Sequence, residues 1–303
     1  VKFSVIVPTY NAGYLWEEWI KAYNQQTLRA DKVIVIDSCS TDQTAVLAEQ
    51  AGFFVQKIAK AEFNHGDTRN LATQYVSMDT DILVFLTQDA LLADRQALAN
   101  LINNFENPEI AAVCGRQLPH LDANLLATHA RLFNYPDKSV IKSKNDINSL
   151  GLKTVFMSNS FAAYRKSIFD KLGGFPQDTI LAEDMYLTAK IINADYKVVY
   201  CAEAQVYHSH NYSLIQEFQR YFDTGVFQQK HAWIQSQFGK ANNEGKKFVI
   251  SELKFLLKNN FILIPMSLLS ILFKFSGFKL GFIWNKLPIW LVRKLSMHKG
   301  YWK

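Results

Sequence analysis

Short apolar runs alternate with helical patterns over the first 120 residues, and this alternation limits the fold more than any other feature. Phe3–Val7, Val33–Asp37, Phe53–Ile58, Ile82–Thr87 and Ile110–Arg116 are rich in Val, Ile and Phe and read as strands. Between the first two, Leu15, Trp19 and Tyr23 recur at four-residue spacing, as on one helix face. Ser40-Thr41-Asp42-Gln43 has the form of a capping box, and a helix over Ala45–Ala51 closed by Gly52 is expected after it. Strands and helices at this spacing indicate βαβ units and a mixed, mostly parallel sheet.

The chain has 303 residues, 49% apolar and 20% charged. That suits one large α/β domain with an appendage and excludes a disordered, collagen-like or disulfide-stapled chain. Cys39, Cys114 and Cys201 are scattered, with no CxxC or Cys/His spacing for zinc, and are expected to be buried reduced thiols of a cytosolic protein. Phe3–Val7 runs directly into Pro8, which reads as a first strand rather than a signal-peptide core.

Residues 121–235 continue the mixed pattern, with a turn at Gly173-Gly174-Phe175-Pro176, helices over Leu181–Asn193 and Ser213–Phe227, and a strand over Lys197–Cys201. A main domain over 1–235 is expected, in two halves (1–120 and 121–235). A basic amphipathic extension over 236–303 follows, and Gln237–Lys247 reads as its linker. The formal net charge is +6, yet from residue 240 onward there are twelve Lys/Arg against two acids, a local +10, while the rest nets −4. The uncharged run Phe261–Phe273 falls short of the ~20 residues that cross a bilayer as a helix, and Pro265 interrupts it. Phe275, Phe278, Lys279, Phe282, Trp284, Lys286, Trp290 and Arg293 then interleave aromatic and basic groups. A helix pair lying on a membrane surface is one reading; a hairpin packed on the main domain is the other.

A parallel sheet places ligands beyond the carboxyl ends of its strands. Pro8-Thr9-Tyr10-Asn11, Asp37-Ser38-Cys39-Ser40-Thr41-Asp42 and Gln88-Asp89-Ala90 stand there. No GxGxxG follows the first strand and no P-loop occurs. With Thr68-Arg69-Asn70 and Glu183-Asp184, these segments resemble, in order and spacing, the family 2 glycosyltransferases of the GT-A fold, over roughly residues 1–225. Phe63–Asn70, Gly115-Arg116-Gln117 and His208-Ser209-His210-Asn211-Tyr212 resemble the bacterial rhamnosyltransferases of that family.

The resemblance implies an inverting, metal-dependent transfer, rhamnose from dTDP-rhamnose being the preferred donor, onto a lipid-linked or growing polysaccharide at the inner face of a membrane. It places Pro8, Thr9, Tyr10, Asn11, Asp37, Arg69, Gln88, Arg116, Gln117, Glu183 and Arg220 against substrate. Tyr10 would stack on the base, or simply pack. Asp37 would accept from a pyrimidine N3–H, which fits thymine or uracil but not cytosine, or cap a strand end. The family's D-x-D is Thr87-Gln88-Asp89 here, so Asp89 alone remains of it. His208, or else His210, would complete a site for Mg²⁺ or Mn²⁺. Asp184 would be the base that deprotonates the acceptor, with Glu183 beside it. Arg220 would bind diphosphate or sit on a solvated helix face, and His65 has no assigned role. A UDP-sugar enzyme of the same fold and a non-catalytic module are alternatives. The pI near 9.0 also invites a nucleic-acid-binding reading, but the charge lies beside a long apolar run, which suits lipid better, so no nucleic-acid partner is expected.

Overall fold

The structure is a computed structural model and describes residues 1–239 and 244–302. One nine-stranded sheet organises it, with order β3-β2-β1-β4-β8-β6-β9-β5 and β7 paired to β9. The strands are β1 (Phe3–Thr9), β2 (Lys32–Asp37), β3 (Phe54–Lys57), β4 (Ile82–Leu86), β5 (Leu91–Leu92), β6 (Ile110–Leu118), β7 (Val140–Lys142), β8 (Phe161–Arg165) and β9 (Lys197–Tyr207). The expected GT-A arrangement is present. The parallel pairs are confined to β1–β4 and to β6 with β9. β8 runs antiparallel to both β4 and β6, so the sheet is evenly mixed rather than mostly parallel.

Alternation along the central strands makes two cores. Ile6, Ile34, Ile36, Leu83 and Phe85 point to one face; Val5, Val7, Val33, Val35, Val84 and Leu86 point to the other. Trp16 and Trp19 of the helix Leu15–Asn24, stacked with centroids 5.0 Å apart, cover the second face. The helices His65–Thr73, Glu183–Asn193 and Leu214–Lys230 cover the first, and so do Val292 and Trp302.

Several elements differ from the sequence reading. Thr44–Gln50 is helical, but no capping box forms: Asp42 Oδ1 accepts from Thr44 N (3.0 Å), while Ser40 is engaged elsewhere. The capping box lies instead at Ser213 and Gln216. The strand expected to end at Cys201 bulges and resumes pairing, Gln205–Tyr207 against Arg116–Leu118. Cys39 is exposed, with a left-handed φ of 57°. Of the linker read over Gln237–Lys247, residues 240–243 lie outside the described residues; Gln237 and Phe238 belong to the end of one helix and Glu244 opens the next.

The extension is packed on the body. Pro265 sits in the first turn of the helix Ile264–Phe282 and starts it instead of interrupting it, as a residue with no N–H to satisfy can. With the short 3₁₀ turn before it, the apolar segment Phe261–Phe282 is 22 residues long. Gly277 and Gly281 face the backbone of Phe218 and Phe222 so closely that a Cβ at either would collide with a carbonyl oxygen. The buried stripe of this helix is Ser267, Ser270, Gly277 and Gly281, small and partly polar. Leu268, Leu272 and Phe275, on the opposite side, are exposed.

Candidate active site

The chain moves outward through β1, β2 and β3 and returns to β4 on the other side of β1. This reversal opens a crevice at the carboxyl ends of β1 and β4, where α/β sheets bind ligands. Gln88 bridges it. Its Oε1 accepts from Tyr10 N (2.7 Å) and its Nε2 donates to Tyr10 O (3.1 Å). Asn11, at φ 44°, ties the crevice to the loop after β2, since its Oδ1 accepts from Thr41 N (2.8 Å) and its N donates to Ser40 Oγ (2.9 Å).

A cavity of about 600 Å³ fills the crevice. Pro8, Thr9, Tyr10, Arg69, Gln88 and Asp89 line it, as the sequence reading grouped them. Lys60, His65 and Met297–Tyr301 line it too, and sequence reasoning assigned none of these to the site. Lys60 Nζ donates to Tyr10 OH (2.7 Å) and lies 4.1 Å from the ring centroid. Asp37 is wholly buried. Its carboxylate accepts from Thr9 Oγ1 (3.1 Å), Ser40 N (2.9 Å) and Ser40 Oγ (2.5 Å).

Asp89, at the end of β4, meets two histidines that β9 delivers just beyond its last residue. His208 Nε2 lies 3.5 Å from Asp89 Oδ1, and His210 Nε2 lies 3.7 Å from Asp89 Oδ2. Both histidines therefore reach the carboxylate, and the three ligand atoms lie within 4.8 Å of one another. Burial pushes Asp89 up, but the two histidines outweigh it and hold the carboxyl well below its usual range. Burial, then the neighbouring His208, pushes His210 down to about 4. His208 Nδ1 is 3.0 Å from Gln117 Oε1, an acceptor, so Nδ1 carries the proton. His208 thus turns Nε2 toward a carboxylate oxygen. Two imidazoles and one carboxylate this close form a donor set that a divalent ion fits.

Glu183 and Asp184 open the helix Glu183–Asn193, entered through Ala182 at a left-handed φ of 59°. Such a backbone is costly for a residue with a Cβ and often marks a functional site. Arg69 Nη1 and Glu183 Oε1 form a buried ion pair (3.2 Å). Burial raises Glu183, but Arg69 and then His65 outweigh it and keep its carboxyl low. Asp184 is half-buried and accepts from Asn159 N (3.0 Å) and Met185 N (2.7 Å). Burial, then the Glu183 charge, pushes it up to about 7.

The tract Phe63–Asn70 holds this geometry. Asn64 caps its helix, Gly66 leaves no room for a Cβ beside Pro176 O, and Asn70 exchanges hydrogen bonds with the backbone of Phe175. Arg69 is thereby held at both the cavity and Glu183. Ser158-Asn159-Ser160, before β8, joins the two carboxylate centres and escaped the sequence reading. Asn159 Nδ2 donates to Glu183 Oε1 (2.9 Å), Ser158 Oγ accepts from Gln117 Nε2 (2.8 Å), and Ser160 Oγ is 3.5 Å from His208 Nε2. No local pattern marks this tripeptide; its value lies in contacts from distant segments.

Eight expected site residues do not line the cavity: Asn11, Asp37, Glu183, Asp184 and His208, described above, and Gln117, Arg116 and Arg220. Gln117 is buried, with its amide committed to His208, Ser158 and Arg131. Arg116 Nε donates to Tyr135 O (3.1 Å). Arg220 is exposed and reaches Tyr212 OH (3.4 Å), whose ring stacks on His210.

The family model for glycosyl transferase family 2 matches residues 4–173, more than half the chain, from the second residue of β1 through the whole of β8. The chain belongs to this family. It is 57% identical over 303 residues to the O-antigen chain rhamnosyltransferase RfbN of Salmonella typhimurium, covering all of this chain and 96% of that one. It is 55% identical over 301 residues to the O-antigen chain rhamnosyltransferase WbaN of Salmonella anatum, covering 99% and 95%. Among solved structures, the mannosyltransferase PcManGT of Pyrobaculum calidifontis, in complex with GDP-Man and Mn²⁺, superposes with a TM-score of 0.63 over 94% of this chain and 88% of that one. At 19% identity that likeness speaks for the GT-A fold.

Proposed function

We propose that this family 2 glycosyltransferase moves rhamnose from dTDP-rhamnose onto a growing, lipid-linked O-antigen saccharide, with inversion at the anomeric carbon. The observation that carries the reading is a carboxylate poised near neutrality, Asp184, linked through Ser158-Asn159-Ser160 to the Asp89-His208-His210 cluster at the mouth of the nucleotide crevice. Two relatives above 50% identity over nearly the whole chain are named O-antigen chain rhamnosyltransferases, which supports the sugar and the acceptor class.

In this reading Tyr10 stacks on the base, with Lys60 fixing its ring. Asp37 reads the pyrimidine N3–H only after Ser40 Oγ turns away from it. Asp89, His208 and His210 would hold a divalent ion, which when bound would supply positive charge against the diphosphate leaving group. Two imidazoles beside one carboxylate suit Mn²⁺ better than Mg²⁺, which favours oxygen ligands. Asp184 takes the proton of the acceptor hydroxyl as that oxygen attacks the anomeric carbon. The asparagine and methionine N–H groups aim its carboxylate. A single displacement with one base and no covalent intermediate inverts the centre.

The acceptor is met at a bilayer. The helix Ile264–Phe282 turns small and polar residues inward and large apolar ones outward, the reverse of a soluble core helix. Glycine contacts at Gly277 and Gly281 hold it to the catalytic body, so in this reading it lies in the membrane plane, on the cytoplasmic leaflet. The test is transfer to a lipid-linked acceptor with dTDP-rhamnose, dTDP-glucose and UDP-sugars, each with Mn²⁺ or EDTA. Rhamnose transfer that EDTA abolishes is expected; transfer from a UDP-sugar alone would overturn the donor reading.

A further inference from the structure

We propose that the segment Met297–Tyr301 is a wall of the donor site and that Lys299 binds the diphosphate of the sugar nucleotide, an assignment that rests on the donor reading above. The cavity at the ends of β1 and β4 is closed by residues from both ends of the chain: Pro8, Thr9 and Tyr10 on one side, Met297 to Tyr301 on the other. At about 600 Å³ it has the size of a small-molecule site.

The segment is held in place. Asp223, fully buried in the helix Leu214–Lys230, accepts with Oδ2 from the N–H groups of both Met297 and His298 (3.0 Å each). Tyr301 OH donates to Asp178 Oδ1 (2.6 Å). Trp302 is buried against Trp284, with ring centroids 5.1 Å apart, and Arg293 Nε donates to Trp302 O (2.8 Å). His298 meets the His65 ring edge-on at 4.9 Å. Anchors on both sides of Lys299 keep it at the cavity.

Its chemistry follows from comparing the cations there. Lys60, Arg69 and Lys299 line the cavity. Lys60 is committed to Tyr10 OH and Arg69 to Glu183. Among the described residues, the ammonium of Lys299 has neither an ion-pair nor a hydrogen-bond partner, and the side chain is exposed. A sugar nucleotide brings a polyanion into this space, which Asp89 also lines. Lys299 is the cation free to meet that charge from the other side, as a mobile point charge suited to phosphate.

The experiment is calorimetric titration of the full-length protein, with Mn²⁺ present, using thymidine diphosphate and thymidine as probes. Wild type, Lys299→Ala and Lys299→Arg are compared, and melting curves check that each is folded. Lys299→Ala should bind thymidine diphosphate about ten- to a hundredfold more weakly, the range for a lost hydrogen bond to a charged group. Thymidine affinity should stay unchanged, and Lys299→Arg should recover most of the loss. Equal affinity of wild type and Lys299→Ala for thymidine diphosphate would overturn the role of Lys299 while leaving the donor site standing. Equal loss for thymidine and thymidine diphosphate would make the segment a steric wall without a phosphate contact and would also overturn it. A wild type that does not bind thymidine diphosphate would overturn the donor reading itself.

Discussion

Gln117 Oε1 lies 3.0 Å from His208 Nδ1 and so decides which imidazole nitrogen faces Asp89. A buried glutamine at this place is a positioning residue, because its carbonyl fixes the tautomer and the ring plane. Partners of this kind typically contribute 10–100-fold in metal affinity. Gln117→Leu should therefore weaken Mn²⁺ binding by about that factor, read by titration of the folded variant. Gln117→Glu, which keeps an acceptor toward His208, should retain more of it.

With Asp184 as the proposed base, its ionisation should set the acid limb of the reaction. Burial, then the Glu183 charge, raises it to about 7. A base works only when deprotonated, so kcat/KM should fall about tenfold per pH unit below 7 and level off above it. Glu183→Gln removes the neighbouring negative charge, and the limb should shift to lower pH. Asp184→Asn should keep donor affinity and lose about 10²–10⁴-fold in transfer. Near wild-type transfer by Asp184→Asn would remove it from the chemistry.

Arg69 and Glu183 share a buried ion pair at 3.2 Å. Removing one member leaves the other charge buried without a counterion, which costs about 3–5 kcal/mol. Arg69→Met should lower the melting temperature by that equivalent. Glu183→Gln, which leaves a guanidinium still able to donate to His65 O, should cost less. Equal melting temperatures for Arg69→Met and wild type would mean that the pair adds nothing.

What the sequence made legible follows from locality. β1, β2 and β4 are continuous apolar runs because helices bury both faces of each, and such runs stand out in any window. His208 and His210 were legible because two histidines follow a strand end. Asn159 was not, because an asparagine in a loop has no periodicity; two contacts from the distant Glu183-Asp184 and one from Tyr164 in the adjoining strand give it meaning. β8 is short, and Phe161–Arg165 is buried between β4 and β6 without the alternation of a half-exposed strand. The wall at Met297–Tyr301 depends on a meeting of residue 8 with residue 300 that no local rule reports. The helix Ile264–Phe282 was read as broken at Pro265 because proline signals both a helix start and a helix stop, and only its position in the first turn tells them apart.

The contact of Gly281 with Phe222 makes the extension part of the fold. Gly281→Val places branched carbons against a carbonyl oxygen and should destabilise by about 1–3 kcal/mol or more, read by thermal melting. Deleting everything after Gly239 uncovers Phe218 and Phe222 and removes Val292 and Trp302 from the core, so the remaining chain should aggregate. A soluble, cooperatively melting fragment that binds nucleoside diphosphate would show that the catalytic sheet stands alone.

The outward stripe of the same helix is the surface proposed to meet the membrane. Leu268, Leu272 and Phe275 recur at four- and three-residue spacing and are 51%, 57% and 59% exposed, with Phe261 and Trp290 exposed nearby. Burying each large side chain is worth about 1.5–3 kcal/mol, and each Lys or Arg near an anionic surface adds ~1 kcal/mol. The extension carries a net +10, so the two terms act together, and binding should weaken with salt while retaining an apolar part. The full chain should float with anionic vesicles in a density gradient. Leu268→Glu, Leu272→Glu and Phe275→Glu combined should sink, yet melt as the wild type does and bind thymidine diphosphate equally, because these side chains touch neither the glycine contacts nor the cavity. A triple variant that floats unchanged would move the membrane contact elsewhere. A wild type that never floats would leave the apolar stripe to a protein partner.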